Sequence, residues 1–239
     1  MNLFTDLGID MLKPQKKISK REIKEDKLVT KYFEARGWID ENTKILSYVG
    51  IGLVGLVIIG FLWSKSRADS NEKATVMLAK VTQYYDDGRY EIAINGVPQE
   101  GTQGLQAIVD EHGSTQAGEI AKLYLANSFF ALKQYDKALS MYDDISISDK
   151  MTTASAYAGM AACYEAKGDF SHAASYFEKA ASKNMTVMQA PENLQRSATN
   201  YAASGKKDKA IELLQMLKKE FPSSLYARDA DLFIAEYSI

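Results

Sequence analysis

The chain has 239 residues, 46% of them apolar and 25% charged, with a net charge of −2, one cysteine and two histidines. These proportions suit one globular domain with an appendage, and they exclude a disordered chain and a polytopic membrane protein. A lone cysteine excludes an internal disulfide framework, so small a Cys and His set excludes most zinc sites, and the near-neutral charge argues against a general nucleic-acid binder.

The first 44 residues form a basic tail, with ten Lys and Arg against eight Asp and Glu. Residues 1–18 show no period. Ser19-Lys20-Arg21-Glu22 has the form of a capping box, in which a serine oxygen and a glutamate three residues on satisfy the first free amides of a helix. It predicts an amphipathic helix from Lys20 to Arg36, ended by Gly37. Ile23, Leu28, Val29, Tyr32 and Phe33 give that helix a partial apolar face with basic residues around it. Such a face suits anionic lipid headgroups or a partner; a solvated spacer is the other reading.

Residues 45–63, ILSYVGIGLVGLVIIGFLW, carry no charge, and twelve of the 19 are Leu, Ile, Val or Phe. As a helix they span about 28 Å, close to the roughly 30 Å hydrocarbon core of a bilayer. Tyr48 and Trp63 stand near the two ends, where aromatic rings suit the membrane interface. With 44 residues ahead of it and no A-x-A site behind, the run reads as an uncleaved transmembrane helix rather than a signal peptide. Gly52 and Gly60 are eight residues apart and share a face that could admit a neighbouring helix, although glycine is common in membrane helices generally. Basic residues within twenty positions are nearly even on the two sides, Lys27, Lys31, Arg36 and Lys44 against Lys65, Arg67, Lys73 and Lys80. The ten positive charges of the short tail tip the expectation to a cytoplasmic N-terminus in the inner membrane and a periplasmic C-terminal domain.

Beyond the run the sequence repeats. Gly88-Arg89-Tyr90-Glu91-Ile92-Ala93, Lys133-Gln134-Tyr135-Asp136-Lys137-Ala138, Gly168-Asp169-Phe170-Ser171-His172-Ala173 and Gly205-Lys206-Lys207-Asp208-Lys209-Ala210 align on their alanines. Ala138 to Ala173 is 35 residues and Ala173 to Ala210 is 37. The second unit adds Ala126, Phe129 and Tyr142; the third adds Ala161, Tyr164, Phe177 and Ala180; the fourth adds Ala198, Tyr201 and Pro222, with Leu214 in place of an aromatic. This pattern resembles the tetratricopeptide repeat, in which small residues let two antiparallel helices approach and aromatics fill the gap to the next pair. The first unit departs from it, since Asn95-Gly96-Val97-Pro98 breaks the second helix and a new short helix starts at Leu105. A last helix, Ser224 to Tyr237, follows the stop at Pro222.

The expectation is an all-α protein, a single transmembrane helix followed by a tetratricopeptide-like α-solenoid of helix pairs. Its parts are a tail at 1–44, the span at 45–63 and a repeat domain at 64–239, with units near 74–112, 119–150, 154–187 and 191–222 and a capping helix at 224–237.

No phosphate loop, dinucleotide fingerprint, zincin or C-x-x-C motif occurs. Cys163 sits beside the packing residues Ala161 and Tyr164 and reads as a buried thiol; His112 and His172 have no partner at ligand spacing. No enzyme, cofactor, metal or small-molecule substrate is expected. Repeats of this kind bind other proteins in a concave groove lined by their first helices. By alignment those positions include Leu123, Tyr124, Asn127 and Phe130, then Ala158, Ala162 and Glu165, then Gln195, Arg196 and Thr199. Tyr124 and Phe130 are apolar anchors or internal packing residues, Asn127 and Arg196 are candidates to bond an extended backbone or a carboxylate, and Gln195 is a further groove candidate.

The whole layout, with the tail KKISKREIKEDKLVTKYFEA, one anchor and then repeats, resembles the membrane-anchored tetratricopeptide proteins of the ancillary Sec translocon subunit family. The tail and the phrase GLQAIVDEHGSTQAGEIAKLYLA are similar to its Bacteroidetes and Chlorobi branch. The resemblance implies a scaffold that helps exported chains or periplasmic chaperones beside the translocon. Two other readings remain, an accessory or assembly subunit of a large membrane complex and an envelope biogenesis factor. The lack of a lipobox cysteine counts against the latter.

Overall fold

The computed structural model describes residues 20–146, 149–183 and 188–239, with side chains from residue 27 onward. Ser19 of the expected capping box, the side chain of Ile23 and residues 184–187 at the end of the third expected unit lie outside them. The chain divides into two compact units, Met1–Leu62 and Trp63–Ile239.

The first unit holds helix α1, Lys20–Glu41, and the start of helix α2, Thr43–Asp86. Gly37 does not end α1 as its sequence suggests. Helical bonding continues past it, with the Asn42 amide on the Trp38 carbonyl at 3.0 Å. A glycine inside a helix costs only about 1 kcal/mol, and here it stays out of the left-handed conformation that stops one. The interruption comes at Asn42. Its Nδ2 donates to the Trp38 carbonyl at 2.8 Å, and the Thr43 hydroxyl reaches the carbonyls of Asp40 at 2.8 Å and Ile39 at 3.0 Å. Side-chain donors thus satisfy carbonyls at the break, which is how short polar residues compete with a helical ladder. From Ile45 onward α2 is long and apolar enough to cross a membrane, and none of its apolar stretch is buried.

In the second unit α2 runs on to Asp86 and the remaining helices follow as antiparallel pairs. They are α3 Tyr90–Asn95, α4 Leu105–His112, α5 Gln116–Ala131 with α6 Tyr135–Asp143, α7 Lys150–Ala166 with α8 Phe170–Lys183, α9 Ala190–Ala203 with α10 Lys207–Glu220, and α11 Leu225–Tyr237. The four turns after α2, α5, α7 and α9 are built alike. One residue takes positive φ: Gly88 at 71°, Lys133 at 59°, Gly168 at 80° and Gly205 at 84°. Its amide bonds three residues back, to Tyr85, Phe130, Glu165 and Ala202 in turn, and the next amide bonds five back, to Tyr84, Phe129, Tyr164 and Tyr201. This double bond pattern is the Schellman motif, so the repeat of the sequence reappears as one backbone geometry used four times.

Alanines carry the close approaches. Ala126, Ala138, Ala161, Ala173, Ala198 and Ala210 are all 0% exposed. Phe129, Phe177 and Tyr142 fill the space between them and are buried, as the spacing predicts. Gly159 of α7 lets the ring of Tyr142 lie against its backbone, where an added Cβ would stand 2.2 Å from Cζ. Among the described residues side-chain caps start four helices: Thr115 accepts from the Gly118 amide, Asp149 from the Thr152 amide, Asp169 from the His172 amide and Ser224 from the Ala227 amide.

The first repeat is broken where Asn95-Gly96-Val97-Pro98 predicts. The break also holds a feature the sequence does not announce, a two-stranded antiparallel ribbon of Gly96–Val97 and Thr102–Gln103 closed over Pro98–Glu100. Gly88 to Lys133 is therefore 45 residues, against 35 from Lys133 to Gly168.

Candidate partner-binding groove

The expected groove residues fall into two clusters. In the first, Tyr124 packs edge to face on Tyr85 at 4.7 Å between ring centres, and Tyr85 meets Tyr90 at 5.7 Å. Asn127 is held between two phenols. Its Nδ2 donates to the Tyr85 oxygen at 3.2 Å and its Oδ1 accepts from the Tyr142 hydroxyl at 2.6 Å. Burial pushes both Tyr85 and Tyr142 above the ordinary phenol range, so these hydroxyls stay protonated. Phe130 is half-buried and packs on Tyr135 at 5.6 Å. Tyr124 and Asn127 thus join the first two repeats, Phe130 packs within the second, and the amide of Asn127 is engaged inside the protein.

The second cluster ties α7 to α9. The Arg196 Nη2 donates to Glu165 Oε2, and the Asn200 Nδ2 donates to Glu165 Oε1 at 2.6 Å. The Arg196 guanidinium also lies 4.2 Å from the centre of the Phe177 ring. Both carboxylate oxygens of Glu165 are therefore occupied, and Arg196 is balanced by a neighbour in its own chain. Gln195 stands beside it, half-buried.

A depression of about 170 Å³ opens between these helices. Met151, Ala154, Ser155 and Ala158 of α7 form one wall, and Gln189, Glu192, Asn193 and Arg196 form the other. Alignment finds Ala158 and Arg196 but misses the other six, which lie up to two turns nearer the start of each helix. The signal is present in the spacing: both sets fall at i, i+3, i+4 and i+7, the stripe that one helix face presents. Small residues on the α7 wall leave room, while the α9 wall supplies amides and a carboxylate. Such a surface can take hydrogen bonds from an extended backbone and seat a small side chain.

A deeper polar latch ties α5 to residues 144–146. Glu119 accepts from the Ser146 amide and hydroxyl, both at 2.8 Å, and Lys122 Nζ lies 2.8 Å from Asp144 and 3.3 Å from Glu119. Burial alone would lower the Lys122 pKa, but its bonds to Asp144 and Glu119 outweigh burial and raise it. Asp144, mostly exposed, is the outer end of this latch. Three bonds from α2 hold the α4–α5 turn: Arg67 to the Ser114 carbonyl at 2.6 Å, Ser70 to His112 Nδ1 at 2.8 Å, and Asn71 to the Ala117 amide at 2.9 Å.

Cys163 is fully buried, and burial pushes its thiol up to about 12. His172 is exposed and paired with Asp169 at 2.7 Å. Among the described residues no three His, Cys, Asp or Glu side chains converge as a metal site would require. Gly52 and Gly60 lie on the exposed apolar stretch of α2 with open space around both.

Residues 121–146 and 192–224 match the family model described as tetratricopeptide repeat. The fold is similar to that of a candidate kinesin light chain from Podosopora anserina, solved for its nearly identical TPR-like repeats. That likeness has a TM-score of 0.53 at 15% identity and covers 70% of this chain and 85% of the other. A second structure of these repeats gives a TM-score of 0.52 at 14% identity, covering 70% and 86%. No curated protein matches the sequence significantly. The chain therefore carries tetratricopeptide repeats in a TPR-like α-solenoid, an architecture that serves as a scaffold for binding other proteins.

Proposed function

We propose that this protein is a single-pass membrane scaffold whose repeat domain holds another polypeptide at the periplasmic face of the inner membrane, beside the protein translocon. The observation that carries the reading is the joining of two features. An apolar stretch with none of its surface covered, at 45–63, stands in the same chain as a repeat domain with an open groove. Apolar surface of that extent is stable only in lipid or against protein, and the length fits a bilayer. The basic tail supports a cytoplasmic N-terminus. The translocon enters through the resemblance of the tail and layout to the ancillary Sec subunits, with exported chains or periplasmic chaperones as the cargo.

Within the groove, the α7–α9 depression is the better candidate than Tyr124, Asn127 or Phe130. The groups of Asn127 are spent on Tyr85 and Tyr142, whereas Ser155 and Gln189 stand exposed. A photo-crosslinker in place of Ser155 in intact cells tests this. Capture of a translocon subunit or an exported chain is the expected result. Capture only of subunits of a respiratory or other large membrane complex would overturn it in favour of an accessory subunit. Protease added to spheroplasts should remove the repeat domain, and its survival would reverse the orientation.

A further inference from the structure

Helix α1 presents a face that nothing in its own unit covers. Leu28, Tyr32, Ala35 and Ile39 recur at spacings of four, three and four, so they line one side of the helix. Arg36 separates that stripe from Val29 and Phe33 on one flank, and Lys31 separates it from Trp38 on the other. Leu28 is 61% exposed, Phe33 62% and Trp38 58%. The opposite side carries Lys27, Glu34 and Glu41, and Asp40 stands between Val29 and Phe33.

The geometry points to α1 as an interfacial helix, lying at the boundary of headgroups and acyl chains on the side of the bilayer where the N-terminus emerges. This rests on the reading of residues 45–63 as a membrane anchor. Three observations choose lipid over a protein as the occupant. Only Asn42 separates α1 from α2, and the apolar stretch starts at Ile45, so a bilayer holding that stretch is always within reach. A tethered group sees its partner at high effective concentration, and modest partitioning is then enough. The helical ladder is interrupted at Asn42, where the side chains of Asn42 and Thr43 take up the Trp38, Ile39 and Asp40 carbonyls, so the chain can bend there. The exposed rings of Tyr32, Phe33 and Trp38 are the residue types that prefer the interface.

Charge, by contrast, contributes little. Between residues 27 and 41, Lys27, Lys31 and Arg36 are matched by Glu34, Asp40 and Glu41. Attachment is thus by burial of the apolar side, and it needs no anionic lipid, unlike the basic-face docking its sequence also suggests.

The test uses the full chain carrying W63F, which leaves Trp38 as its one tryptophan, reconstituted in phosphatidylcholine vesicles. Trp38 emission should shift to the blue and fall about twofold with lipids brominated near the ester end of the acyl chain, while aqueous iodide quenches little. Adding phosphatidylglycerol or salt should change neither. Adding Leu28→Glu and Ile39→Glu should return Trp38 to water while the chain still floats with the vesicles. Free quenching by iodide in vesicle-bound protein would overturn the inference and leave the anchor standing. Protection that needs phosphatidylglycerol, or an added protein, would overturn it as well. Failure of the chain to float with vesicles would overturn the anchor and this inference together.

Discussion

Lys133 occupies the left-handed position of its hairpin, at φ 59°, where the other three turns have glycine. A side chain there costs about 1–2 kcal/mol, while glycine would give back about 0.5–1 kcal/mol through the entropy of the unfolded chain. Lys133→Gly should therefore stabilise the protein by about 0.5–1 kcal/mol and raise Tm by about 2 °C in a thermal melt followed by circular dichroism. Gly88, Gly168 and Gly205 mark their turns openly in the sequence. Lys133 does not, because its conformation is imposed by α5 and α6 rather than chosen by the residue. Asn127 shows the same limit from the other side. It reads as a free groove amide, yet its partners are Tyr142, fifteen residues away, and Tyr85, forty-two away. No local pattern connects those three positions.

Among elements, the ribbon in the first repeat depends on how closely two strands of backbone cross. At Gly104 an added Cβ would stand 2.2 Å from the Ile94 carbonyl oxygen, and at Gly101 it would meet nothing within 4 Å. Backbone cannot give way as a side chain can. Gly104→Ala should cost about 2–3 kcal/mol, and Gly101→Ala about 1 kcal/mol from its positive φ alone. The two midpoints of urea denaturation should separate accordingly. The break itself is legible in Asn95-Gly96-Val97-Pro98, since glycine and proline punctuate a helix. The pairing is not, because strands of two residues are too short to show alternation. The α7–α9 depression is a middle case. Its eight residues obey helical spacing, but which of several stripes faces the neighbour is decided by packing.

For the whole molecule, the titration of buried acids sets an alkaline limit. Cys163 is pushed up to about 12 by burial, Tyr201 to about 12 by burial and by its bond to Glu178, and Tyr142 rises further. In the unfolded chain these groups ionise near pH 8.5 and 10. A raised folded pKa gives stability that is complete below the unfolded value and is lost as pH rises toward the folded one. Stability should hold to about pH 8 and fall between about pH 9 and 12, with Cys163 alone contributing a slope of about 1.4 kcal/mol per pH unit. Melts from pH 7 to 11 would show it, and Cys163→Ala should flatten the early part of the fall. The order of apolar helix and repeats is legible throughout because each rests on a strong period or a long uncharged run. The placement of single polar groups is less so, since it depends on neighbours distant in sequence.

The seclusion of Cys163 has a practical side. At neutral pH its sulfur is both out of reach and un-ionised, so the folded chain is nearly blank to maleimides. A cysteine engineered at Ser155 or Gln189 would be the sole reactive handle without deleting the native one. Spin labels, fluorophores or cleavable tethers could then be mounted on the groove of an otherwise unaltered protein.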